Sequence, residues 1–146
     1  MFRGRYEHAL DDKGRLSIPA KFREILVKRR QNSLILTEFD SCLAAYPIKE
    51  WQQFEDRIRS QSTLRREFRD FLRLFYSGAI ETSLDNQGRV LIPPQLRERA
   101  GLRREVVLVG VLNKIEIWSK ERWEQFVAEK AHTFEEIATK LAERGV

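Results

Sequence analysis

Two short stretches of this sequence carry residue types that could do chemistry at a useful spacing. Asp11 and Arg15 flank Asp12-Lys13-Gly14, and Asp85 and Arg89 flank Asn86-Gln87-Gly88. Arginine offers a planar fork of five N–H donors, which fits a phosphate or the O6 and N7 edge of guanine in the major groove. Each arginine follows a glycine turn, where a two-stranded ribbon narrow enough for that groove could present it outward. A carboxylate does not attract phosphate, so Asp11 and Asp85 are suited to accept turn N–H groups or to hold the arginine fork in one orientation. The residues alone leave two readings open: a nucleic-acid contact, or an Asp–Arg clasp that only closes the turn.

Little else in the chain suits catalysis. There is one cysteine, Cys42, and there are two distant histidines, His8 and His132. A single cysteine excludes an internal disulfide framework and a cysteine-based zinc site within one chain. Cys42 reads as a small buried hydrophobe and the histidines as surface or packing residues. Asp11, Asp12 and Asp85 lie in turns beside arginines, with no Glu, Asp or His cluster at magnesium-ligand spacing. The expectation is a protein that is not an enzyme, with no catalytic residue, no metal, no cofactor and no small-molecule substrate.

The chain has 146 residues, 42% of them hydrophobic and 34% charged, with a formal charge of +5. That is the composition of about one globular domain rather than of a disordered polymer. Residues 1–30 hold nine Lys and Arg against four Asp and Glu, and the rest of the chain balances. Such a segment either attracts a polyanion, nucleic acid being the commonest, or is a solvated basic face. No run nears the roughly 18 apolar residues of a membrane span. Met1-Phe2-Arg3-Gly4 leads into charged sequence without an apolar secretory stretch, so a cytoplasmic protein with no membrane partner is expected.

What positions the two Asp-x-x-x-Arg stretches is an internal repeat. Leu10 to Pro19 reappears as Leu84 to Pro93 at an offset of 74, which extends to Gly4/Gly78, Glu7/Glu81, Arg23/Arg97 and Glu24/Glu98. The offset then becomes 72, pairing Leu34-Ile35-Leu36 with Val106-Val107-Leu108, Tyr46 with Trp118, Trp51 with Trp123 and Phe54 with Phe126. Each copy reads as strand, glycine turn, strand, short helix and two more strands, with a helix following. The strands begin at 6–10 and 80–84, and the short helices cover Ala20–Leu26 and Pro94–Ala100. Gly14 and Gly88 stand where the turn asks for positive φ. The expected organisation is repeat 1 at 5–47, connecting helices at 48–76, repeat 2 at 77–120 and a C-terminal helical segment at 121–146. A unit of about 40 residues seldom folds unaided, so the two copies should pack on each other as a pseudo-dimer. Trp51, Phe54 and Ile58 form one apolar helix stripe, and Leu64, Phe68, Phe71, Leu72 and Phe75 form a second, both read as core packing.

Met-Phe-Arg-Gly at the start, Leu-Asp-x-Lys-Gly-Arg-Leu-Ser-Ile-Pro-Ala-Lys-Phe-Arg at 10–23, Ser-Gly-Ala-x-Glu at 77–81 and Leu-Asp-x-Gln-Gly-Arg-Val-x-Ile-Pro at 84–93 closely resemble the MraZ family over nearly the whole chain. The resemblance implies an α+β fold in which two tandem AbrB-like swapped-hairpin units form one β-barrel, with flanking helices. It further implies a transcription regulator of the bacterial division and cell-wall gene cluster. Such a regulator would bind direct repeats in double-stranded DNA upstream of its own gene and assemble into a ring-shaped homo-oligomer. Association with the nucleoid follows. Under that reading Arg15, Lys13 and Arg3 rank first as DNA contacts, with Arg89 and Arg5 after them. Asp11, Gly14, Asp85 and Gly88 support the turns. Lys21 and Arg23 are further phosphate candidates. The second copy carries Gln87 and Gln95 where the first has Lys13 and Lys21. The competing readings are a ring-forming scaffold for a protein partner and a nonspecific nucleoid protein that reads only backbone and shape.

Overall fold

The computed structural model describes residues 1–146 as an α+β molecule in three layers. In chain order the elements are β1 (Phe2–Ala9), β2 (Arg15–Ser17), α1 (Ala20–Lys28), β3 (Ser33–Phe39), β4 (Cys42–Pro47), α2 (Ile48–Arg59) and α3 (Arg66–Ser77). There follow β5 (Ile80–Ser83), β6 (Arg89–Leu91), α4 (Pro94–Arg99), β7 (Glu105–Leu112), β8 (Lys114–Ser119), α5 (Lys120–Lys130), a 3-10 turn at Ala131–Thr133 and α6 (Phe134–Glu143). No helix is long and apolar enough to cross a membrane.

The middle layer is a six-stranded antiparallel sheet in the order β1-β7-β8-β4-β3-β5, and β2 and β6 form a separate antiparallel ribbon. The two copies are interleaved. The first strand of each pairs with the third strand of the other, β1 with β7 and β5 with β3, and the fourth strands β4 and β8 meet in the centre. The ribbon likewise takes one strand from each copy. Neither copy can therefore complete its own sheet, which is the packing that the small size of one repeat demands. The sheet has two open edges, β1 and β5.

One face of the sheet packs beneath the ribbon. Leu34, Leu36, Leu43, Ala45, Leu108, Ile115 and Ile117 meet Leu16, Ile18, Val90 and Ile92, with Phe22 and Leu26 of α1 and Leu96 of α4 closing the sides. Phe22 is 1% exposed and meets Phe2 and Tyr6 edge-on, with ring centroids 5.5 and 5.1 Å away. Truncating such a side chain to alanine typically costs about 3–5 kcal/mol. The opposite face is covered by helices: Trp51 and Phe75 pack on Ala44 and Tyr46, and Trp123 packs on Cys42, Val107 and Trp118. Thr37 Oγ1, fully buried, donates to the Phe75 carbonyl at 3.0 Å and so ties α3 to the sheet.

Several local expectations shift. β1 starts at Phe2 rather than at residue 6, because Phe2 is buried against Phe22 and pairs with Leu112 across the ladder. The second apolar stripe is only partly core. Leu64 precedes α3 and is exposed, Phe71 is half exposed, and Phe75 alone is buried. Cys42 is wholly buried, with burial pushing its thiol pKa up.

Candidate nucleic-acid interface

The two Asp-x-x-x-Arg turns lie at opposite ends of the β2–β6 ribbon. Leu16 faces Val90 at the ribbon's centre, both buried, while Arg15 faces Leu91 and Arg89 faces Ser17. Because strand side chains alternate, Arg15, Ser17, Arg89 and Leu91 share the outward face. The ladder extends past the strands: Ile92 N–H donates to the Gly14 carbonyl at 2.9 Å, and Ile18 N–H donates to the Gly88 carbonyl at 3.0 Å. Each turn is thereby pinned to the strand of the other copy, and the two arginines are related by a local two-fold axis between Leu16 and Val90.

The turns are built alike. Asp11 Oδ1 accepts from the backbone N–H of Lys13 at 3.0 Å and of Arg15 at 2.8 Å, and its Oδ2 accepts from Arg15 Nε at 2.6 Å. Asp85 repeats all three bonds with Gln87 N–H, Arg89 N–H and Arg89 Nε, each at 2.9 Å. Gly14 and Gly88 adopt φ of 82° and 74°, where a side chain is disfavoured. The Arg15 backbone N–H, with its side chain adding to the effect, holds the Asp11 carboxyl below the ordinary carboxylate range, and Arg89 does the same for Asp85. The clasp therefore stays ionised at neutral pH. It uses only Nε, and the four Nη–H donors of each guanidinium make no bond within the chain. Clasp and display are one arrangement: the aspartate fixes the fork while its outer edge stays open to a ligand.

The remaining candidates fall in two places. Lys13 is exposed in the first turn beside Arg15. Arg3 and Arg5 are exposed on edge strand β1, alternating with Phe2 and Tyr6, which point to the ribbon side and meet Phe22 edge-on. Arg3 and Arg5 thus project from the other face of the sheet, away from the ribbon arginines. Two residues matter more than their sequence setting indicates. Arg97 of α4 lies against Gly14, and Arg23 of α1 lies against Gly88, each reaching the turn of the opposite copy. The Nε atoms of both are buried without a hydrogen-bond partner. The only sequence signal for this pair is their match at the repeat offset of 74. Lys21 is exposed at the start of α1.

A family model described as "MraZ protein, putative antitoxin-like" matches residues 1–74 and again 75–145. The chain belongs to the MraZ family. Curated relatives named "Transcriptional regulator MraZ" include one from Pelotomaculum thermopropionicum, 46% identical over 144 residues, covering 98% of this chain and 97% of that protein. Another from Moorella thermoacetica is 46% identical over 143 residues, covering 98% of each chain. A third, from Alkaliphilus metalliredigens, is 44% identical over 147 residues and covers both chains completely. Each of the two MraZ matches contains one Asp-x-x-x-Arg turn, so the two-fold arrangement of arginines is a consequence of the MraZ repeat itself.

Proposed function

We propose that this chain is a sequence-specific, DNA-binding transcriptional regulator of the bacterial division and cell-wall gene cluster, reading direct repeats upstream of its own gene. The observation that carries this reading is the pair of arginine forks on the outer face of the β2–β6 ribbon, each clasped through Nε with its Nη donors free. A two-stranded ribbon fits the major groove, and Arg15 and Arg89 then present bidentate donors to guanine edges. Lys13, beside Arg15, adds phosphate attraction, which contributes affinity without reading sequence, and Arg3 and Arg5, on the sheet's other face, add only to the overall positive field that draws in the duplex. Asp11, Gly14, Asp85 and Gly88 hold the forks in place.

The fold reading that goes with it is an AbrB-like swapped-hairpin barrel formed within one chain, supported by the reciprocal exchange of β1, β5 and the ribbon strands between copies. Assembly into a ring is the second half of the proposal. It is supported by exposed apolar side chains: Phe134, Ile137 and Leu141 along α6, and Phe71 and Leu74 on α3. Several ribbons on one assembly engage several repeats together, which raises effective concentration when the spacing fits. The protein then acts in the cytoplasm on the nucleoid.

The test is fluorescence anisotropy with the duplex upstream of this chain's own gene against a scrambled duplex. Tighter binding to the native duplex at moderate salt is expected. Equal binding that fades steeply with salt would instead make it a nonspecific nucleoid protein, and no binding to either would favour the protein scaffold.

A further inference from the structure

The two ends of the ribbon are alike in fold but not in charge. At the first turn the backbone N–H of Leu10 donates to the carbonyl of Arg104 at 2.8 Å; at the second, Leu84 donates to Asn32 at 2.9 Å. Arg104 of the second copy thus stands where the first copy has Asn32, and Lys13 stands where the second turn has Gln87. Beside the first turn is an open cleft lined by Arg97, Arg103 and Arg104 together with Leu10, Asp11 and Asp12. None of the three arginines is in an ion pair. Asp11 is already committed to Arg15. Arg97 also carries a buried Nε with no partner.

We propose that this cleft is an anchor for one phosphodiester of the DNA backbone, and that the second turn has no equal of it. The inference rests on the DNA-binding reading above and adds a direction to it. Three unneutralised guanidiniums against one free carboxylate, Asp12, leave a local excess of positive charge. The two non-bridging oxygens of a phosphodiester match the guanidinium fork. Asp11 both lines the cleft and clasps the Arg15 fork, so a phosphate here is held near that fork. A module with exact two-fold symmetry would bind a repeat in either orientation equally well. An anchor at one end removes that degeneracy, so every subunit of an assembly lies the same way along direct repeats. The basic excess of residues 1–30 is completed in space by arginines from the second copy.

The test exchanges residues between the two ends of the full-length protein. Arg104→Asn with Arg103→Gln should weaken binding to the upstream duplex by about tenfold and reduce the steepness of the salt dependence by roughly 1, the value for one phosphate. Preference over a scrambled duplex and the thermal midpoint should be retained. Adding Asn32→Arg and Gln87→Lys to that variant should recover most of the lost affinity, the anchor now being at the other end. If the double variant binds with unchanged affinity and slope while the wild type still discriminates, the cleft holds no phosphate and the DNA-binding reading stands. If the wild type binds neither duplex, it is the DNA-binding reading that fails.

Discussion

The Arg97 guanidinium rests on Gly14 so closely that a Cβ at that position would stand 2.8 Å from Arg97 Cζ. The contact crosses between the copies: a helix of the second repeat floors the turn of the first, and Arg23 returns the arrangement beneath Gly88. The turns that display Arg15 and Arg89 are therefore shaped from below by the partner copy, as well as from within by Asp11 and Asp85.

Gly14→Ala and Gly88→Ala should each destabilise the protein. Both glycines have positive φ, which costs an L-residue about 1–2 kcal/mol, and both added methyl groups meet an arginine side chain. Gly145 shares the positive φ, 84°, but has nothing within 4 Å, so Gly145→Ala serves as the comparison and should lower the unfolding midpoint less than the other two. Urea unfolding of the three variants measures the difference. Equal midpoints for Gly14→Ala and the wild type would contradict the packing described.

Acid should loosen the turns through Asp11 and Asp85. Their folded pKa values lie below the ordinary 3.8, so their contribution is complete above that value and is lost as pH falls through the lower folded one. Asp11→Asn and Asp85→Asn should then be less stable than the wild type at pH 7, with the gap closing toward pH 2. Unfolding curves across that range would show it; a gap independent of pH would mean that charge is not what holds the clasp.

Much of this architecture is legible in the residues, because the repeat makes each element a prediction of its counterpart. The Asp-x-x-Gly turns, the alternation of Leu16 and Ile18, and the proline-started short helices all depend on local chemistry. The pairing of β1 with β7 does not. It joins Arg3 to Val111, far apart in sequence, and nothing local distinguishes it from pairing within one copy. The same limit hid Arg97, whose role appears only when α4 is laid beneath Gly14, and Arg104, whose carbonyl meets the Leu10 N–H only once the two copies pack together. Helical stripes misled where exposure was concerned, since Leu64 and Phe71 show the same spacing as buried Phe75.

If several ribbons act together on one assembly, the spacing of the DNA repeats must match the spacing of the subunits. Inserting about five base pairs between repeats turns one site to the far side of the duplex, given roughly 10.5 per turn. Affinity should fall at least tenfold, and a further insertion of the same length should restore part of it. Gel-shift titration of the three duplexes would reveal it, and identical affinities would rule out joint engagement.

The central claim is that the Arg15 fork reads base edges. The most direct measurement is the ratio of affinities for the native and scrambled upstream duplexes, for the wild type and for Arg15→Ala, with oligomeric state checked in parallel. Loss of one good bidentate contact removes about 1–3 kcal/mol of discrimination. The account predicts that Arg15→Ala drives the ratio toward one while assembly and residual salt-dependent binding persist. An undiminished ratio in a correctly assembled Arg15→Ala protein would contradict it.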